Sequence, residues 1–211
     1  PVQYDGRVMP LDTMARQLLW SVTGRIRWQG HDAAGLLISW VMFPDAWACE
    51  PLIKVTDEVL KRRVGLDTRR NRFSLRELVN ADELRKLLQQ TRTGSPRIPP
   101  GLAQSAEQLH QRMVMLDGAL AGEILRIVPD PHRSDAPWLL PWTTDMGLGR
   151  RRSADVPEAV RQAWADLAEA CSRADDSAVL RASRRLARQL RNLPAAYYPP
   201  PEQIEREVLY N

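Results

Sequence analysis

The run Tyr4-Asp5-Gly6-Arg7-Val8-Met9-Pro10-Leu11-Asp12-Thr13-Met14-Ala15-Arg16 sets a turn, a helix stop and a helix start within thirteen residues. Glycine takes positive φ without steric cost and aspartate hydrogen-bonds its own backbone, so Asp5-Gly6 reads as a turn. Pro10 disfavours a helix before it. Asp12 or Thr13 can cap the helix whose apolar positions are Met14, Leu18, Leu19 and Val22. A chain that opens on Pro1, so close to a built motif, is expected to be a piece of something longer.

The rest of the chain carries mostly the helical period. Apolar residues recur at spacings of three and four over 11–22, 32–42 and 56–64. Ser74 with Glu77 three residues on is a capping box, ahead of a helix holding Leu78, Leu84, Leu87 and Leu88. A break rich in Pro and Gly at 93–101 precedes a long helix expected from about Ala103 to about Arg126, striped by Leu109, Met113, Leu116, Leu120 and Ile124. Ile124 to Pro129 can leave it as a short extended segment, followed by a Pro-rich loop with Trp138 and Trp142. Residues 156–172 and 175–193 then read as two amphipathic helices in an antiparallel hairpin. One more helix is expected to start at Glu202. The expectation is a mainly α fold: an irregular helical domain with long loops, a C-terminal helix hairpin and little or no sheet. Two regions, 1–149 and 150–211, would pack as one domain.

Composition excludes several classes. No apolar run approaches the roughly 20 residues a bilayer-spanning helix needs. Thirty basic residues oppose twenty-six acidic ones, a net charge of +4, so the charge gives nucleic-acid binding little support. The runs at Arg69-Arg70, Arg150-Arg151-Arg152 and Arg184-Arg185 lie among acids and read chiefly as solvated helix faces, though a polybasic run can also meet anionic headgroups. Cys49 and Cys171 are expected to be buried free thiols. Seven tryptophans against two phenylalanines point to aromatic packing, with Trp40, Phe43 and Trp47 set against the helix led by Leu11. Trp138 and Trp142 have no period to bury them and are candidates for exposed aromatic contacts.

Reactive constellations are missing. The three histidines have neither His-x-x-x-His nor Cys-x-x-Cys context, so no metal site is expected, and no haem-attachment, phosphate-loop or nucleophile-elbow sequence occurs. No catalytic residue and no small-molecule substrate is assigned. His110, beside the apolar stripe of the long helix, and His132, in the Pro-rich loop, are the weak candidates for touching a haem. His31-Asp32 most simply starts a helix. Asp5, Gly6, Arg7, Pro10, Asp12, Thr13 and Arg16 form a motif for structure or partner contact. Arg7 and Arg16 can pair with Asp5 and Asp12, or Arg7 can meet a partner or a haem propionate.

The opening motif, Val2-Gln3-Tyr4-Asp5-Gly6-Arg7 through Arg16, resembles a segment of large cytochrome c biogenesis proteins of the CcsA and ResB type, the system II assembly factors. Ser39-Trp40 with Pro44-Asp45-Ala46-Trp47, Pro51-Leu52-Ile53, Phe73-Ser74-Leu75 and Arg126-Ile127-Val128-Pro129 followed by Trp138 are similar too. Glu205 to Asn211 resembles the run before a transmembrane helix. The resemblance implies an extracytoplasmic, periplasmic insert tethered by flanking membrane helices, with no cofactor of its own but haem in the parent protein. Its partners would be membrane-embedded parts of the same protein or complex, and apocytochrome c. Pro141-Trp142-Thr143-Thr144-Asp145 is only a superficial echo of the family's tryptophan signature and no histidine matches a family ligand, so no catalytic role carries over. The alternative is a free-standing helical adaptor or regulator that binds a protein or an anionic surface through its C-terminal hairpin.

Overall fold

A computed structural model describes residues 1–94, 96, 98–130, 136–142, 156–193 and 202. The fold is mainly α, with little sheet, as the periodicity predicts. The chain forms two compact units, one of Pro1–Met14 with Gly122–Asn211 and the other of Ala15–Ala121.

In the first unit, β1 (Val2–Tyr4) and β2 (Arg7–Met9) pair antiparallel with Val2 opposite Met9 and Tyr4 opposite Arg7. Asp5 at φ 49° and Gly6 at φ 71° give the two successive left-handed residues that a tight primed hairpin turn needs. α1 (Leu11–Thr23) follows directly, its first four residues in this unit and the rest in the second. It starts one residue before Asp12, so Asp12 lies in the first turn and Thr13 is buried inside the helix. Neither is the expected cap. A negative charge in that first turn still complements the helix dipole.

The second unit gathers on one long helix. β3 (Ile53–Lys54) pairs with β4 (Arg72–Phe73), turning Ile53 and Phe73 into the core. α2 (Ala33–Met42), α3 (Pro44–Cys49), α4 (Glu58–Arg63), α5 (Leu75–Val79) and α6 (Asp82–Arg92) all touch α7 (Pro100–Leu120). The face that α7 buries is Ala106, Leu109, Met113, Leu116, Ala119 and Leu120. A Leu so buried contributes about 1.5–3 kcal/mol each. Asp32 caps the start of α2, its carboxylate accepting from Gly35 N at 2.8 Å. The capping box at Ser74 and Glu77 is present in full.

Two helix boundaries and one packing contact differ from expectation. The helix opened by Ser74 stops at Asn80, because Ala81 is extended (φ −80°, ψ 95°) and Asp82-Glu83 open α6 with acidic residues where the dipole favours them. The long helix ends at Leu120, short of Arg126, because Gly122 takes φ 75°. Phe43 is 41% exposed at the α2–α3 joint instead of packed. Trp40 is buried, and Trp47 stands 6.5 Å from it with its Nε1 donating to Ser39 Oγ at 2.9 Å.

Back in the first unit, α8 (Glu158–Ser172) and α9 (Asp176–Arg191) form the expected hairpin, bent at Ala174 with φ 52°. The helix expected from Glu202 lies outside the described residues, apart from Glu202 itself. No described helix is long and apolar enough to cross a membrane.

Candidate functional site

The opening motif is built onto the segment that follows the long helix. Gln3 uses both its backbone and its side chain: its N–H donates to Arg126 O at 2.9 Å, and its Oε1 accepts from Trp138 N at 2.7 Å. Arg126 Nη1 closes the ring by donating to Trp138 O at 3.1 Å. Val128 and Leu139 exchange both backbone hydrogen bonds, at 3.1 and 2.6 Å. The hairpin therefore has a fixed footing, each such bond contributing about 1 kcal/mol net. Asp5, Gly6 and Arg7 are exposed at its tip, while Met9 and Pro10 are buried at its base. Tyr4 is half-buried, and its hydroxyl is held above the usual range by burial and then by the charge of Asp5. Asp12 and Arg16 are both engaged with neighbours. Asp5, in the turn, and Arg7, opening β2, are both exposed.

The tryptophans of this segment are packed. Trp138, expected as an exposed contact, is only 4% exposed, because the bonds to Gln3 and Arg126 draw its backbone inward. Trp142 is partly exposed and sets its ring 4.8 Å from that of Trp164 on α8. The thiols need the opposite correction. Cys49 is exposed at the end of α3, a one-and-a-half-turn helix that buries no residue, and Cys171 is half-buried at the edge of α8. Both are free, and burial raises the Cys171 thiol above its ordinary value.

In the second unit His110 lies on α7 where an open groove of about 330 Å³ runs between α5, α6 and α7, floored by Leu78, Leu84, Leu88 and Met113. Arg92 Nη2 donates to His110 Nε2 at 2.6 Å, so that ring nitrogen already faces a guanidinium. His132 lies outside the described residues. Among the described residues no group of three or more His, Cys, Asp or Glu can hold a metal.

Two built polar features beside these were not singled out from the sequence. Lys61, 1% exposed, points its ammonium at Thr68 O (2.9 Å), Arg70 O (3.0 Å) and Asn71 Oδ1 (2.9 Å), using all three donors. Its signal was weak: one lysine between Leu60 and Val64, just ahead of a loop at Gly65. Arg72 donates to Leu52 O at 3.0 Å and Thr23 O at 2.8 Å, with its guanidinium 4.8 Å from the Trp28 ring. Burial, then Arg25, costs it some basicity.

The structure thus defines a mainly helical protein that presents a rigid hairpin tip and hydrogen-bonded struts. No protein-family model matches the chain. It is similar to Protein NrfI of Wolinella succinogenes, 25% identical over 138 residues, which cover 64% of this chain and 15% of that protein. The chain therefore spans a small part of the relative's length.

Proposed function

We propose that the chain is an extracytoplasmic, periplasmic domain of a membrane-bound cytochrome c biogenesis protein. It positions apocytochrome c or partner subunits for haem attachment, and it supplies neither a catalytic group nor a cofactor site of its own. The observation that carries this reading is the likeness to NrfI over 138 residues, which supports cytochrome c biogenesis at the level of the family. The exposed Asp5-Gly6-Arg7 tip on its fixed footing is the partner contact in this reading, with Arg7 as a charge-assisted donor to a carboxylate.

The test is genetic. The coding region for these residues is deleted in frame from its parent gene, or Arg7→Glu is introduced, and covalently attached haem is read by peroxidase staining after denaturing electrophoresis. The deletion should abolish holocytochrome c and leave the apoprotein, and Arg7→Glu should lower the yield several-fold. Normal holocytochrome c in the deletion strain would overturn the proposal. Haemin titrated into the isolated chain should give no Soret band that His110→Ala or His132→Ala removes.

A further inference from the structure

The second half of α9 carries five arginines and no acid: Arg181, Arg184, Arg185, Arg188 and Arg191. At 100° per residue they fall within about a third of the helix circumference, along about 15 Å of axis. All five are exposed, while the opposite face, with Ala182 and Leu186, is buried. Four of the hairpin's five carboxylates have partners, and the fifth, Asp176, lies in the first turn of α9. Asp166 takes Arg185 at 2.6 Å, Glu169 takes Arg173 at 2.5 Å, Glu158 takes Arg161, and Asp175 caps α9 through Ala178 N at 2.9 Å. Arg181, Arg184 and Arg188 enter no ion pair among the described residues, and they border one groove of about 480 Å³ along the hairpin. Like charges three and four residues apart destabilise a helix, and the helix dipole accounts only for Arg188 and Arg191 in the last turn. Packing on α8 holds the rest in place.

We propose that this stripe is a docking surface for the phosphate headgroups of an anionic phospholipid leaflet. Guanidinium forks match phosphate oxygens two at a time, and a straight row of them, stiffened from behind, engages a flat array of phosphates without rearrangement. A basic residue near an anionic leaflet strengthens binding about five-fold. The proposal does not depend on a role in cytochrome c biogenesis.

Flotation of the whole chain with phosphatidylcholine vesicles, alone or mixed with phosphatidylglycerol, tests it. Binding is expected only with the anionic lipid and should weaken with added salt. The triple variant R181Q/R184Q/R188Q should bind roughly a hundred-fold more weakly, at about five-fold per residue. R62Q/R63Q/R69Q, equal in net charge but altered in the other unit, should lose less than about five-fold if position and not charge alone decides. Helical circular dichroism should be unchanged, and if the triple variant misfolds, R184Q alone should lose about five-fold. Equal binding to neutral vesicles, equal loss in both triple variants, or full binding by R181Q/R184Q/R188Q overturns the proposal. Displacement by inorganic pyrophosphate at matched phosphate would assign the stripe to a free anion. Tighter binding to polyglutamate than to the vesicles would assign it to an acidic protein. Either overturns the leaflet assignment.

Discussion

Replacing Lys61 by Met tests the strut beneath the α4–β4 loop. Met keeps most of the buried stem and deletes the ammonium, so the change isolates the three bonds to Thr68 O, Arg70 O and Asn71 Oδ1. A hydrogen bond from a charged donor is worth about 1.5–3 kcal/mol, and an acceptor left buried and unpaired costs about 1–3 kcal/mol. Relief of the ammonium's own burial offsets part of this sum. The expected net loss is about 3 kcal/mol. The chain has two compact units, so one global transition can mislead. Hydrogen exchange is the better assay. The Val55 amide, bonded to Asn71 O at 3.0 Å, and the Leu66 amide, bonded to Lys61 O at 2.8 Å, should lose protection together. Asn71→Ala removes one of the three acceptors and should cost about 1 kcal/mol. A loss below about 1 kcal/mol for Lys61→Met, or an equal one for Asn71→Ala, would refute the reasoning.

Glu77 closes the neighbouring capping box and takes Arg70 at 2.8 and 3.2 Å. Chiefly through Arg70, its carboxyl is lowered from 4.5 to about 2. A depressed carboxyl stabilises above its unfolded value, so this contribution is full above pH 4.5 and lost as pH falls toward about 2. The pair is more than a third exposed, so solvent screening reduces the contribution to about 1 kcal/mol. Urea denaturation of Glu77→Gln should show that deficit at neutral pH and none near pH 2; a gap that persists at low pH would defeat the assignment. Gly6→Ala places a side chain at φ 71° and should cost about 1 kcal/mol, read as faster exchange at the Gln3 amide. Unchanged exchange would mean the turn does not hold the hairpin on its footing.

Local chemistry was legible where a residue's partner is close in sequence. The Asp5-Gly6 turn, the Asp32 cap and the Ser74–Glu77 box each close within three residues and were readable from side-chain type alone. Period located α7, because one helix collecting five others must bury a full stripe. Gln3 meets Trp138 across 135 residues, and Arg72 meets Thr23 across 49, contacts that no window of sequence contains. Trp138 was misread for that reason: an aperiodic proline-rich loop gives no burial signal, and the hairpin that covers its backbone comes from the other end of the chain. Lys61 was missed because a single lysine on a short helix usually snorkels to water.

The opening motif divides by what its residues have left to offer. Val2, Met9, Pro10, Thr13 and Met14 are spent on burial, and Gln3 is spent on Arg126 and Trp138. Asp12 and Arg16 are engaged on α1. The tip presents two exposed charges: the Asp5 carboxylate on the turn and the Arg7 guanidinium at the start of β2. A reaction centre needs groups converging on one atom, whereas a hairpin tip points them away from its own core. In the proposed reading the motif therefore serves recognition: two opposite charges held at set positions, on a footing stiff enough that a partner would order little on binding.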